Sequence, residues 1–325
     1  MNVVPTKSPI VTVLMPVYNG SKYLDDAIKS ILNQTFQKLE FVIIDDGSTD
    51  DSLNIIKSYN DNRIRLIENK ENQGQSKTLN KGINLARGTY IARVDQDDIS
   101  RSDRLEKQLE FMEKNSDIDV CGSWVELMGK ASNVLNLETR SEEIKISLLT
   151  NQNLAHPAVM IRKSTLIKHN LYYDPKFIIA NDYDLWVRMF EYCSFANIPE
   201  PLVKHRVHHD QFSKKFGEKN SYETNKILKI LLKKIGVKTN DSSLIIYKKV
   251  FYGYDYEDLV ISEVFKYLRK LRSSNIRNRI FEPDIFNEFL RLKWRRFMLS
   301  QNHKLLYWVL TLLFFPTAHI FRKEK

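Results

Sequence analysis

The sequence predicts an α/β domain built on a mostly parallel sheet with flanking helices, followed by a basic, mainly helical C-terminal region. Three observations predict it. Short apolar runs rich in β-branched residues alternate with amphipathic stretches between Ile10 and Val94. Parallel strands buried on both faces read as such continuous runs. Three of these runs end in polar or acidic turns, Tyr18-Asn19, Asp45-Asp46 and Asp95-Gln96-Asp97-Asp98, at the edge where open α/β sheets bind ligands. Charge then divides the chain. Ser213 to Lys325 holds 24 Lys and Arg against 11 Asp and Glu, whereas the first 212 residues hold 26 against 29. Such asymmetry predicts a separate basic region that meets anions, either phospholipid or nucleic acid.

The totals set bounds. A chain of 325 residues has room for about two domains, and 42% hydrophobic residues is ordinary for a folded protein. Cys121 and Cys193 lie far apart, neither near a metal-type partner, which predicts buried thiols in a reducing compartment. Met1 to Pro9 has no apolar signal core.

Taken in order, Ile10 to Val17 is the first strand. Ser21 to Thr35 has Leu24, Ala27, Ile28, Ile31 and Leu32 at helical spacing. Phe41 to Ile44 is the second strand, and Asp50-Asp51-Ser52 offers caps for the helix after it. Ile64 to Glu68 is the third strand. A helix opens near Gln73 and runs to Gly88, read as its C-terminal stop. Tyr90 to Val94 is the fourth strand, and Arg101 to Asn115 is an amphipathic helix. Asp119 to Met128 reads as another strand. Asn181 opens a helix whose first turn carries Asp182 and Asp184, placed where the helix dipole favours carboxylates. Arg206 to Ser213 reads as a polar loop. Further helices follow at about 220–236, 244–256, 258–273 and 283–299.

Asp95, Asp97 and Asp98 are the sharpest feature. Three carboxylates at the end of a buried strand repel one another and make each other's dehydration costlier. A hard cation relieves this, since Mg²⁺ and Mn²⁺ take carboxylates together with substrate phosphates. The alternative is a solvated acidic turn ahead of a helix. His156, in an apolar run before Pro157, is either a ligand contact or a partly buried hydrogen-bonded side chain.

In combination and in order, the motifs resemble the family 2 glycosyltransferases of the GT-A fold. They are Val13-Leu-Met-Pro-Val-Tyr-Asn-Gly, Ile43-Ile-Asp-Asp-Gly-Ser-Thr-Asp-Asp-Ser, Asn72-Gln-Gly-Gln-Ser, Asp95-Gln-Asp-Asp with Arg104-Leu-Glu-Lys-Gln, His156-Pro-Ala, Asn181-Asp-Tyr-Asp-Leu-Trp-Val-Arg and Arg206-Val-His. The resemblance covers about residues 10 to 213. It implies a GT-A, Rossmann-like catalytic domain over residues 1–213, and leaves 214–325 as the basic helical region. It implies a metal-dependent inverting transferase that moves a sugar from a nucleotide-sugar, a UDP-sugar, to a hydroxyl. The acceptor would be a saccharide or lipid-linked molecule in bacterial surface polysaccharide synthesis. Pro16, Val17 and Asn19 would shape the base pocket, and Asp45 or Asp46 would touch uracil or ribose. Asp95 and Gln96 would meet the donor. Asp97 would hold Mn²⁺ or Mg²⁺, with His208 at the metal or diphosphate. Asp182 aligns with the catalytic base, and His156, Asn181 and Trp186 lie on the acceptor side. One position departs from the pattern: the family commonly has Glu where this chain has Asn181. That departure supports a second reading, a catalytically impaired fold kept as a sugar-nucleotide binding module.

Other classes fit less well. Residues 13–24 carry only Gly20 and Lys22, not a phosphate-binding Gly-rich loop, and no G-x-G-x-x-G follows the first strand. No nucleic-acid module is recognisable in the basic region. The uncharged run Leu305 to Phe321 contains Pro316 and His319 and sits at the short limit for a membrane span. Tyr307, Trp308 and flanking basic residues fit a helix lying in the interface. The expected location is cytoplasmic, peripheral at an anionic inner membrane face. A homo-oligomer is compatible with this reading.

Overall fold

The computed structural model describes residues 8–130, 132–150, 154–208, 217–253 and 256–301. The segment 305–321 and the boundary at 213/214 lie outside them. By its internal contacts the chain divides into one unit of residues 1–144 with 152–224, and a second of 145–151 with 225–325.

In the first unit the four apolar runs are strands: β1 (Val11–Val17), β2 (Leu39–Asp45), β3 (Ile64–Glu68) and β4 (Tyr90–Arg93). They are parallel and run in the order β3-β2-β1-β4. Val13 pairs with Phe41 on one side and Ala92 on the other. The chain thus steps outward from β1 to β3, then returns to the far side of β1. That reversal opens a crevice at the C-terminal ends of β1 and β4. β1 can be central because both of its faces are apolar. Val11, Val13, Met15 and Val17 share one core cluster with residues of α1 (Ser21–Leu32) and α4 (Arg104–Lys114). Leu14 meets α3 (Gln75–Leu85) at Gly82, where an added Cβ would lie 2.2 Å from a Leu14 methyl.

The sheet then changes character. β8 (Met160–Arg162) pairs antiparallel with both β4 and β6 (Val120–Gly129). β6 runs parallel to β9 (Phe195–Val207), with a register shift at Trp124. β5 (Ile99–Ser100) closes on β9, and β7 (Val134–Leu135) on β6. The sheet is therefore a mixed one whose parallel half carries the acidic strand ends. This half-open, helix-flanked sheet matches the expected α/β class.

Two local expectations are corrected. Gly88 does not stop a helix: α3 ends at Leu85 and Ala86 is already extended. Gly88 is there because its amide donates to Thr12 Oγ1 at 2.9 Å and a Cβ would strike the Thr12 backbone. Arg206 is not in a loop but on β9, with His208 directly after it; residues 209–213 lie outside the described residues. The remaining helices of this unit include α2 (Ser52–Lys57), α5 (Ser141–Ser147), which runs on past its boundary, α6 (Lys163–Lys168) and α7 (Asn181–Met189).

Arg104 fastens α4 beneath β4. Its side chain is fully buried and donates to Gln108 Oε1, Ser100 Oγ and the Arg93 carbonyl at 2.9–3.0 Å. Burial, then the charge of Arg93, pushes its pKa down to about 9. Arg104→Ala leaves a cavity and several buried acceptors unpaired, so a loss of about 3 kcal/mol is expected. Urea unfolding measures it, and a midpoint equal to wild type would remove Arg104 from the core.

α8 (Gly217–Lys234), α9 (Asp241–Tyr252), α10 (Ile261–Asn278) and α11 (Pro283–Ser300) follow. The second unit buries Leu228, Leu231 and Leu232 of α8, Ile235 just after it, and a set of aromatic side chains including Phe286, Trp294 and Phe297. α9 begins with a reciprocal cap between Asn240 and Ser243.

Candidate active site

The strand register brings the polar turns together. Val17 lies across from Asp45, and the Asp46 amide donates to the Val17 carbonyl at 2.7 Å. Val94 donates to the Leu14 carbonyl at 3.1 Å, which fixes where Asp95 to Asp98 emerge. Pro16 and Val17 are buried strand residues at the end of β1. Asn19 adopts a left-handed conformation with φ 49, which Asn tolerates better than most residues. Its amide donates to Ser48 Oγ and its Oδ1 accepts from Thr49, binding the first turn to the second. Gln96 makes a paired contact with the Tyr18 backbone: Oε1 accepts at 2.8 Å and Nε2 donates at 3.2 Å. Asn19 and Gln96 thus build the crevice walls.

Asp45 and Asp46 are both buried but differ in what they hold. Asp46 accepts from Asn69 Nδ2, the Gln73 amide and the Gly74 amide at 2.7–3.0 Å, which uses both oxygens to set the start of α3. Asp45 Oδ2 accepts from the Ser48 amide at 3.2 Å, whereas its buried Oδ1 has no partner among the described residues. A buried carboxylate oxygen without a donor is costly, and a ligand N–H or O–H would satisfy it. Gly47, with φ +74, makes this turn, and any Cβ there would collide with the Glu71 backbone.

One oxygen from each of Asp95, Asp97 and Asp98 lies within 4.8 Å of the others. Their charges are offset unequally. Asp95 pairs with Arg93, which reaches it from the fully buried strand β4. Burial works against the charge on Arg93, but Asp95 and Asp98 outweigh it and its pKa is raised. Asp98 accepts from His205 Nδ1 at 2.9 Å and the Arg206 amide at 2.8 Å. Burial opposes charge on His205 too, yet the Asp98 bond and charge raise its pKa to about 9. Asp97 has the weakest counter-charge. Its Oδ2 meets His208 Nε2 at 2.9 Å, while burial and then the charges of Asp95 and Asp98 raise its pKa to about 6. The Nδ1 of His208 is buried and has no hydrogen-bond partner among the described residues. Three carboxylate oxygens converging on a negative, half-buried point, with the His208 imidazole beside Asp97, suit a divalent cation such as Mn²⁺ or Mg²⁺. Beside it, the Arg206 guanidinium stacks 4.2 Å from the centre of the Tyr23 ring.

The other candidate carboxylate comes from α7. Asp182 stands in its first turn, 8% exposed, with Oδ1 accepting from the Tyr183 amide at 2.7 Å. Asn181 donates to Gln75 Oε1 and Ser76 Oγ, joining α7 to the same α3 start that Asp46 sets. His156 is buried, bonds to the Tyr173 hydroxyl at 2.8 Å, and is kept neutral by burial and by Arg93. Burial raises the pKa of the Tyr173 hydroxyl, with Arg93, Asp182 and Asp95 all near enough to act on it. Trp186 is fully buried and edge-on to His156.

Sequence reasoning missed Arg93, His205 and Tyr173. Arg93 carried a signal, a lone charge inside an apolar strand just before three carboxylates. His205 carried none, because its strand was not recognised.

This fold and site define a GT-A-type transferase. The model for glycosyl transferase family 2 matches residues 12–172. A glycosyltransferase of Haemophilus influenzae is 34% identical over 246 residues, covering 70% of this chain and 76% of that one. One from Methanocaldococcus jannaschii is 40% identical over 209 residues, covering 61% and 71%. The structure of residues 1–349 of S. aureus TarS in complex with UDP-GlcNAc superposes with a TM-score of 0.61 at 16% identity, covering 90% of this chain and 92% of that one. The chain belongs to glycosyl transferase family 2 and is a glycosyltransferase.

Proposed function

We propose that the protein transfers a hexosyl or N-acetylhexosaminyl group from a UDP-sugar to a hydroxyl of a saccharide or lipid-linked acceptor, with inversion and with Mn²⁺ or Mg²⁺. The observation that carries this is the Asp97–His208 pair, under-neutralised among three carboxylates at the crevice between β1 and β4. Asp97 and His208 would hold the cation, which when bound supplies positive charge to the leaving diphosphate. Asp45 Oδ1 would accept from the uracil or ribose. Asp95, oriented by Arg93, would meet the ribose or the donor sugar. Asp182 would accept the proton of the acceptor hydroxyl as its oxygen attacks the anomeric carbon. The bond from that carbon to the diphosphate then breaks with its electron pair on the diphosphate oxygen, and a single displacement inverts the centre. TarS, bound to UDP-GlcNAc in the structure it matches, supports the choice of donor class.

The test is UDP release from a panel of UDP-sugars with Mn²⁺, with and without candidate saccharide acceptors. Absence of release throughout would favour the second reading, a binding module. The observation behind that reading is Asn181, whose amide is engaged by Gln75 and Ser76 rather than offering a carboxylate beside Asp182.

We also propose a peripheral position on the cytoplasmic face of an anionic membrane. No helix among the described residues is long and apolar enough to cross a membrane. On α11, Leu292 and Leu299 are exposed at 49% and 42% and share a face with Arg296. Aliphatic and basic residues on one helix face suit an anionic interface. Retention on phosphatidylserine vesicles is expected to fall about tenfold or more on deleting residues 305–325. Equal retention of the shortened chain would sink the membrane proposal.

A further inference from the structure

We infer that Glu223 is a positioning residue for Asp182, holding the chain that leads into α7; this rests on the reading of Asp182 as the base. Glu223 lies on α8 within the first unit and is 4% exposed. Its carboxylate accepts from three successive backbone amides, Ile178 at 3.1 Å, Ile179 at 2.8 Å and Ala180 at 3.0 Å. Three consecutive amides converging on one anion form a small concave donor site, normally filled by an ionic ligand. Here a side chain from 43–45 residues further along the sequence fills it.

The placement gives the contact its meaning. Ala180 is the N-cap of α7 and makes no side-chain cap bond of its own. The next two residues are Asn181 and Asp182. Glu223 therefore holds the N-cap amide and the two amides before it, and its negative charge sits near the positive end of the helix dipole. The segment before α7 is tied down on its other side by α3: Asn80 exchanges two hydrogen bonds with the Tyr173 backbone and Ser76 donates to the Phe177 carbonyl. Between these ties the path from 177 to 181 has little freedom, so the direction of Asp182 follows from it. Glu223 also lies beyond residues 12–172, the span of the family model.

The experiment uses the full chain and the UDP-sugar that the wild type turns over fastest, with Mn²⁺ and water as acceptor. Glu223→Ala is expected to lower kcat about tenfold to a hundredfold. KM for the donor and affinity for UDP should stay within about twofold, because the crevice at β1 and β4 is untouched. Glu223→Gln, near-isosteric but with one acceptor oxygen replaced by a donor, should fall between, and it keeps the test available if the alanine variant does not fold. In an Asp182→Asn background, adding Glu223→Ala should change the residual rate little, since the two act as one unit. Wild-type kcat in both Glu223 variants would overturn the inference, as would a loss of UDP affinity and melting temperature in step with kcat. The underlying reading fails differently: Asp182→Asn would then turn over at the wild-type rate. If Asp182→Asn is slow and both Glu223 variants are fast, only the inference about Glu223 falls.

Discussion

Asp97→Asn is expected to lower turnover of a UDP-sugar about a thousandfold at saturating Mn²⁺ and to weaken donor binding. The reason lies in how the three carboxylates are neutralised. Asp95 has Arg93, and Asp98 has His205 and the Arg206 amide. Asp97 has a pKa lifted by burial and by its neighbours, and its side-chain partner is the His208 imidazole. That excess negative charge is what a cation would relieve. Asparagine keeps the shape and a bond to His208, so the fold should survive while the charge does not.

The same geometry fixes a readout independent of turnover. A cation that binds the folded chain alone raises its melting temperature by mass action, so Mn²⁺ should stabilise the wild type and not Asp97→Asn. The sign of the pH dependence follows from the pKa of about 6 at Asp97. The cation competes with a proton for that carboxylate. Its stabilising effect should therefore be full above about pH 7 and fade as pH falls through about 6. Without cation the trend reverses. The raised pKa means the folded chain holds that proton more tightly than the unfolded one, a stabilisation present below the ordinary carboxylate pKa and lost as pH rises through about 6. An equal Mn²⁺-induced shift in wild type and variant would remove Asp97 from the metal site.

The parallel half of the fold was legible because its signals are local. Val11 to Val17 and Leu39 to Asp45 are apolar enough to demand burial on both faces, and the residues that end them fall at the crevice by strand geometry alone. β9 was not legible. Pro199, Glu200, Pro201 and Lys204 break its apolar pattern, and its place is set by a long pairing with β6 that no local rule reports. The choice between Asp45 and Asp46 needed structure too. Both are buried, and the difference lies in whether Gln73 and Gly74 fold back to use both oxygens of one of them. The sequence reading placed Asp182 in the first turn of α7, where the structure has it. What holds it there, Glu223, lies across a sequence gap too wide for pattern reasoning. Arg93 is a different failure. A guanidinium inside a buried strand must pair with an anion, and Asp95, two residues on, supplies it.

Asp182→Asn is expected to lower kcat by about a thousandfold while leaving UDP and donor affinity near wild type, as loss of a general base does when the binding site is intact. The first turn of α7 offers two carboxylates, and their partners decide between them. Asp184 is committed: Arg188 donates to it from Nε at 2.9 Å and Nη2 at 2.7 Å, and Arg188 also reaches the Tyr172 carbonyl. Removing that charge should loosen the helix and the loop before it. Asp184→Asn should therefore show mainly as lost stability, with a smaller effect on kcat. Asp182 accepts from the adjacent Tyr183 amide, a contact that asparagine can reproduce, and its substitution should act mainly on proton transfer. The pair of variants is thus its own control. Asp182→Asn should be slow and stable, Asp184→Asn less stable and comparatively fast. If Asp182→Asn turned over at the wild-type rate while Asp184→Asn did not, the base would be Asp184 and the roles of the two carboxylates would have to be exchanged.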